Sequence, residues 1–113
     1  MKEIKAIIQP FMVEKVLTAL DAMEDLPGVT YSEVAGWGRL PERRSGGTDM
    51  PTAHGLTKKT KLEIVVRDDQ VESVTALILN ASRTGNAGDG KIFVHTVDQV
   101  IRIRTGETGP DAI

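Results

Sequence analysis

The sequence lacks several features that would point to particular classes of protein. It contains no cysteine, so neither a disulfide framework nor a thiolate metal site is possible. Residues 1–10 are too short and too interrupted for a signal peptide, and no stretch approaches the roughly 18 apolar residues that a membrane span needs. The formal net charge of −2, with both signs mixed along the chain, gives no reason to expect a nucleic acid partner. We therefore expect a soluble, cytoplasmic protein that does not insert into a membrane.

The residues that are present fit one small domain over 1–113, for which a partner subunit would add stability. Polar and apolar side chains alternate in residues 1–10, so that Ile4, Ala6 and Ile8 share one face of a predicted strand. Three more strands are predicted at 29–37, 60–67 and 91–97, and a short extended piece at 100–103.

Two segments show the spacing of amphipathic helices. The apolar face of the first, which closes at residues 26–28, comprises Val13, Val16, Leu17 and Leu20. The second helix begins after Asp68, where Asp69 is placed to cap it and Glu72 to make the reciprocal bond. Its apolar face comprises Val71, Val74, Leu77, Ile78 and Ala81.

The order of these elements predicts an α+β protein of the ferredoxin-like βαββαβ type, with two helices on one face of an antiparallel sheet. The other face is left bare and must meet solvent or another copy of the chain, and Val65 amid charged neighbours suits a half-polar contact between subunits. Between the second and third strands, residues 39–59 show no hydrophobic period. A loop of this length in a compact domain is expected to be a functional segment.

The most informative segment for function is residues 84–91, TGNAGDGK. Its three glycines let backbone N–H groups converge on an anion, and Lys91 adds a positive charge. The pattern matches the start of a Walker A motif, but Ile92 replaces the required Ser or Thr and the loop runs from helix to strand. The chain is therefore not a P-loop NTPase, and an ordinary glycine turn would show the same pattern.

Two further features favour an anionic ligand. Arg102 and Arg104 alternate with Ile101 and Ile103, so both guanidinium groups are expected to point the same way and to suit phosphate oxygens. Two surface ion pairs remain the alternative. In the segment 36–39, Gly-Trp-Gly-Arg, the glycines allow the backbone to approach a ligand closely and the arginine adds a positive charge.

The sequence shows no arrangement typical of catalysis or of metal binding. No nucleophile–base pair is visible, and Asp89 is the single carboxylate beside the glycine-rich segment, so no catalytic residue is predicted and a slow nucleotide hydrolase is the weaker alternative. His54 and His95 have no second ligand at metal-binding spacing. No metal site is predicted, which disfavours a metal-tolerance-linked ferredoxin-like trimer.

Residues 84–97, TGNAGDGKIFVHTV, and 101–113, IRIRTGETGPDAI, together resemble the C-terminal signature of the nitrogen-regulatory P-II, or PII, family. The segments 5–20, 28–39 and 59–66 also resemble this family, in the right order. The resemblance covers nearly the whole chain apart from the central loop.

The resemblance implies a homotrimer that binds an adenine nucleotide, ADP, AMP or ATP, in the clefts between subunits, without a covalent cofactor. It also implies a B-loop at about 84–91, a C-terminal segment at about 100–113, and a T-loop at about 39–59 that contacts a target transporter or enzyme in carbon or nitrogen metabolism. The implied nucleotide-binding residues, the last two from the neighbouring subunit, are Thr30, Gly36, Gly38, Arg39, Gly88, Asp89, Gly90, Lys91, Arg102 and Arg104.

The sequence departs from the family in ways that bear on its effector. Leu40 stands where members that sense 2-oxoglutarate have a glutamine, whereas Lys59 resembles the family lysine that pairs with the effector carboxylate. The only tyrosine, Tyr31, lies in a predicted strand, which argues against uridylylation, and the T-loop is expected to be somewhat short. We therefore expect a divergent PII-like branch with bicarbonate as a candidate effector. An ordinary ATP/2-oxoglutarate nitrogen sensor is the alternative.

Overall fold

The computed structural model describes residues 1–37 and 55–113. The strands are β1 (Lys2–Ile8), β2 (Thr30–Gly36), β3 (Thr57–Val66) and β4 (Gly90–Thr96), and the helices are α1 (Val13–Asp21) and α2 (Val71–Ser82). Short 3-10 turns lie at Pro10–Met12, Asp68–Gln70 and Pro110–Ala112. Within the two described ranges, no helix has the length and apolar character needed to cross a membrane.

The four strands form one antiparallel sheet in the order β2-β3-β1-β4. At one end of the sheet, here called the upper end, Ile8 pairs with Thr60 and Gly90. At the lower end, Lys2 pairs with Val66 and Thr96. Together with the two helices, this order confirms the predicted ferredoxin-like α+β fold.

The core lies between the two helices and one face of the sheet. The predicted alternation is confirmed, because the three apolar residues that share a face of β1 are buried, as are Leu62, Ile64 and Val66 of β3. Burying a Leu or Ile side chain of this kind contributes about 1.5–3 kcal/mol. The helices complete the core with Val16, Leu20, Val74, Ile78 and Ala81.

The first helix is shorter than its apolar pattern predicts, because it ends at Asp21 and not near residues 26–28. Met23 donates its N–H to the carbonyl of Leu20 at 3.0 Å, and Leu26 donates to Met23 at 3.4 Å. These are bonds between residues three apart, which tighten the chain into turns after the helix.

The predicted cap of the second helix is wrong. Gln70, not Glu72, makes the reciprocal bond, since its side-chain oxygen accepts from the backbone N–H of Arg67 at 3.1 Å. A 3-10 turn over Asp68–Gln70 precedes the helix and moves the cap towards the N-terminus. Asp69 therefore lies inside this turn and not at the position of the cap.

The third strand begins at Thr57 and not at residue 60 as predicted. Gly36 pairs with Thr57, so Lys59 belongs to the strand and not to the end of the T-loop. Gly38 and the first residues of that predicted loop, Arg39 and Leu40, lie among residues 38–54, outside the described part of the chain.

Gly90 makes the closest approach between the start of β4 and β1. Its φ is +112°, and a Cβ built on it would lie 1.8 Å from the carbonyl oxygen of Ile7. A side chain at this position would therefore require the backbone of one strand to move, because the position of a Cβ does not change with the rotamer.

We expect Gly90→Ala to destabilise the protein by about 1–3 kcal/mol, because the strained φ and the clash with Ile7 act together. Gly28→Ala is the matched control, since a Cβ there meets nothing within 4 Å. Urea unfolding at equal protein concentration measures both. An unfolding free energy of Gly90→Ala equal to that of Gly28→Ala would contradict the close approach.

Candidate functional site

The B-loop connects α2 to β4 at the upper end of the sheet. Three of its glycines have positive φ, which are Gly85 at 89°, Gly88 at 92° and Gly90 at 112°. L-residues rarely adopt this region. The loop therefore follows a path that depends on glycine.

Asp89 holds the B-loop together from within. Its carboxylate accepts hydrogen bonds from the backbone N–H of Thr84 at 2.8 Å and of Gly85 at 2.9 Å, and also from the Thr84 hydroxyl. The hydrogen bond from the Thr84 side chain is the largest cause that lowers the pKa of Asp89. Asp89 is predicted to contact nucleotide, but in this structure its oxygens shape the loop.

Three lysines of the open face of the sheet lie near the B-loop, and we call them the lysine patch: Lys59, Lys61 and Lys91. Lys61 and Lys91 flank Ile7 on neighbouring strands, and Lys61 lies 3.4 Å from the carboxylate of Glu63. Lys59 donates a hydrogen bond to the carbonyl of Gly88 at 2.8 Å. The patch therefore places positive charge around an apolar side chain, beside a loop rich in backbone donors.

Gly36 and Thr30 occupy opposite ends of β2. A Cβ built on Gly36 would lie 4.0 Å from Cγ of Lys59, so this glycine lies at the upper end, beside the lysine patch. Thr30 pairs with Glu63 and borders an open depression of about 360 Å³. The depression is lined by Glu3, Pro27, Gly28, Thr30, Glu63, Val65 and Ile113.

In the C-terminal segment, the extended piece predicted at 100–103 is found only in part, before a turn over residues 103–105. Ile101 makes one isolated bridge with Thr108, and the N–H of Gly106 donates to the carbonyl of Arg102 at 2.7 Å. Arg104 lies inside this turn. The alternation that predicts a shared direction for Arg102 and Arg104 therefore does not hold here.

Arg102 is used to hold the C-terminal tail. Its guanidinium donates to the carbonyl of Asp111 at 3.2 Å and lies 3.5 Å from the carboxylate of Glu107. The side chain of Asp111 in turn lies 3.6 Å from Arg67, which follows β3. These contacts place the tail at the lower end of the sheet.

The structure thus brings the site residues predicted from sequence into two separate groups. The upper group comprises Gly36, Lys59, Gly88, Asp89, Gly90 and Lys91, and the lower group comprises Thr30, Arg102 and Arg104. Seven residues of β4 separate the B-loop from the C-terminal segment, which at about 3.3 Å per residue is roughly 20 Å. One chain alone does not bring the two arginines to Lys91.

Thr84 and Ile7 belong to the site although the sequence analysis does not select them. The signal for Thr84 is its place at the start of a glycine turn that contains a carboxylate, since Asp, Ser and Thr side chains commonly bond turn backbone. The signal for Ile7 is its apolar side chain on the polar face of an alternating strand. The signal for Ile7 becomes clear only when the pairing of the strands is known.

The family model of nitrogen regulatory protein P-II matches residues 1–107. The chain belongs to the P-II family. It is 45% identical over 113 residues to the nitrogen regulatory protein P-II of Rhizobium meliloti, with all of both chains covered. It is also 45% identical over 113 residues to P-II 2 of Methanothermobacter thermautotrophicus, with all of this chain and 97% of that one covered.

A solved structure supports the same relationship. The crystal structure of Arabidopsis thaliana PII bound to citrate superposes with a TM-score of 0.80 at 41% identity, covering 99% of this chain and 91% of that chain. PII proteins are regulatory signal transducers and not enzymes, so the prediction that this chain is not an enzyme is confirmed by its family.

The alignment with the Rhizobium meliloti protein spans 113 residues, the full length of this chain, and the alignment with the Cereibacter sphaeroides protein spans 117. The somewhat short T-loop expected from the sequence stays a prediction.

The lowered pKa of Asp89 predicts how the B-loop responds to acid. A carboxylate whose folded pKa lies below its unfolded value of about 3.9 stabilises the folded form above that value, and the contribution is lost as pH falls through the folded pKa. We therefore expect the Thr84 and Gly85 amides to stay protected from hydrogen exchange at pH 5–6 and to lose protection only in stronger acid.

The matched variants are Asp89→Ala and Asp98→Ala. Asp98 makes no hydrogen bond or ion pair within residues 1–37 and 55–113, so its removal should leave the exchange of both amides unchanged. Asp89→Ala should remove their protection at every pH. Protected amides in Asp89→Ala would show that another group holds the loop.

Proposed function

We propose that the protein is a cytoplasmic, homotrimeric signalling protein of carbon or nitrogen metabolism. It binds ADP, AMP or ATP in clefts between subunits and regulates a target protein through residues 39–59. The observation that carries this proposal is the glycine-dependent B-loop beside the lysine patch, in a chain of the P-II family. PII proteins form homotrimers that bind small-molecule effectors such as ATP, ADP and 2-oxoglutarate and interact with target proteins.

The B-loop offers a polyphosphate both backbone donors and a cation. The amides of Thr84, Gly85 and Asn86 bond within the loop. The amides of Ala87 and Gly88 make no hydrogen bond in the described part of the chain, so they are available to phosphate oxygens. Lys91 lies beside them on the open face and adds a charge-assisted contact.

A second subunit is needed to bring arginine to this loop. Arg102 and Arg104 lie at the lower end of their own sheet, so the pair reaches a B-loop only from a neighbouring chain. Ile103, between them, is 98% exposed. An isoleucine presented to this extent at the tip of an anchored turn is expected to be covered when subunits associate.

The position and charge of Lys59 favour an anionic effector. Its ammonium group carries the charge that a small carboxylate needs, at the junction of β3 and the B-loop. Arabidopsis thaliana PII is described as bound to citrate, itself a carboxylate anion. We propose bicarbonate as the effector of this chain. 2-Oxoglutarate is the second candidate because Lys59 is retained.

Isothermal titration calorimetry with ADP, AMP and Mg-ATP tests nucleotide binding. We expect about one nucleotide per subunit, and Lys91→Ala should weaken binding by roughly 10–100-fold, as loss of one charge-assisted contact predicts. Lys58→Ala is the matched control, because Lys58 pairs with Ala35 and faces the opposite side of the sheet from the patch. Light scattering shows whether each variant remains a trimer.

The absence of nucleotide binding by the unmodified protein would contradict the proposal. The titration is repeated with bicarbonate and with 2-oxoglutarate. Tighter nucleotide binding with bicarbonate alone supports the carbon-linked effector. Tighter Mg-ATP binding with 2-oxoglutarate instead identifies an ordinary nitrogen sensor.

Mixed trimers test whether the site lies between subunits. Lys91→Ala and Arg104→Ala should each lose nucleotide affinity as homotrimers. After unfolding and refolding together in equal amounts, roughly a quarter of the sites should combine two intact contributions and bind normally, because the B-loop and the arginine come from different chains. A site formed within one chain would show no recovery. Arg104 is chosen because Arg102 also holds the tail.

A further inference from the structure

One hydrogen bond joins two segments that are distant in sequence and placed at the same end of the sheet. The ammonium group of Lys59, in β3, donates to the carbonyl of Gly88, in the B-loop, at 2.8 Å, and the bond is partly buried. The two residues lie 29 positions apart. The contact therefore ties the strand that follows residues 38–54 directly to the loop that precedes β4.

The local geometry suits this contact on both sides. Gly88 has φ of +92°, a conformation that L side chains rarely adopt, and its carbonyl is turned towards β3. Gly36, on the other neighbour of β3, has no side chain, and a Cβ there would already lie 4.0 Å from Cγ of Lys59. A larger residue than alanine would crowd the aliphatic stem of the lysine.

The charge of Lys59 acts on the loop in a second way. Asp89 follows Gly88 and holds Thr84 and Gly85 through its ionised carboxylate. The nearby positive charge of Lys59 favours this ionised form. Removal of the lysine therefore takes away both an anchor for Gly88 and an electrostatic support for Asp89.

We propose that Lys59 is a positioning residue that latches the B-loop to β3. In this role β3 and the B-loop are mechanically joined, and the B-loop is held in the shape that would receive a phosphate. The consequence for nucleotide affinity rests on the proposed function, whereas the latch itself does not.

The test is amide hydrogen exchange, followed by NMR, on the full chain freed of nucleotide. The variant is Lys59→Met, which keeps an unbranched side chain of nearly the same length and removes the donor. The reporters are the amides of Thr84 and Gly85, and exchange in Lys59→Met should be roughly tenfold faster, as expected for the loss of a charge-assisted bond. The amide of Ile64, in the core of β3, should exchange as in the unmodified protein.

Lys61→Met is the matched control. Lys61 lies on the same face of the same strand, but its partner is Glu63 and not the B-loop. Unchanged exchange in Lys61→Met supports the latch. Equal acceleration in both variants, or unchanged exchange at Thr84 and Gly85 in Lys59→Met, overturns it. Acceleration at Ile64 to the same factor also overturns it, because the whole strand would then have been weakened.

Nucleotide binding is measured in a separate experiment. If the unmodified protein binds no ADP in calorimetry, the proposed function fails, while the exchange data still decide the latch. If ADP binds and Lys59→Met shows unchanged exchange, the latch fails and the proposed function stands.

Discussion

The pairing of β1 with both of its neighbours is the constraint on which the rest of the structure depends. β1 lies inside the sheet, and its register places Ile8 between Thr60 and Gly90. Because a Cβ at position 90 would clash with the carbonyl of Ile7, only glycine fits where β4 begins. The B-loop is consequently held over the end of β1, within reach of β3. A shift of register by one residue would invert the faces of the strand and remove the lysine patch.

The charged side chains of the B-loop and of the C-terminal segment make different contacts. Asp89 satisfies the first amides of the B-loop from inside, and this leaves the later amides and Lys91 for a ligand. Arg102 is engaged by its own tail, whereas Arg104 lies in the turn. Under the proposed function, a single chain thus carries the parts of a phosphate site at two ends of one sheet, so that assembly of subunits is required for a complete site and is not only a source of stability.

The sequence predicts the architecture well because apolar residues recur along it at the spacing of strands and helices. Alternation in β1 and β3 identifies the residues that face the core, and the glycines of the B-loop identify a backbone that needs positive φ. The failures have a local cause. Thr57 and Lys59 are polar, so no alternation of apolar residues marks this end of β3. Asp69 and Gln70 are both polar residues that can cap a helix, and the sequence does not distinguish between them. The separation of Arg102 from Lys91 follows from strand pairing, which spacing along the chain does not encode.

The bond between Lys59 and Gly88 also has a thermodynamic consequence. When two binding events share one structural contact, the free energy by which the first alters the second must equal the free energy by which the second alters the first. An anion that draws on Lys59 and a phosphate that draws on the B-loop compete for, or cooperate through, the same few atoms. Under the proposed function, coupling between an anionic effector and a nucleotide therefore requires no long pathway, since the contact that joins their sites is one lysine side chain.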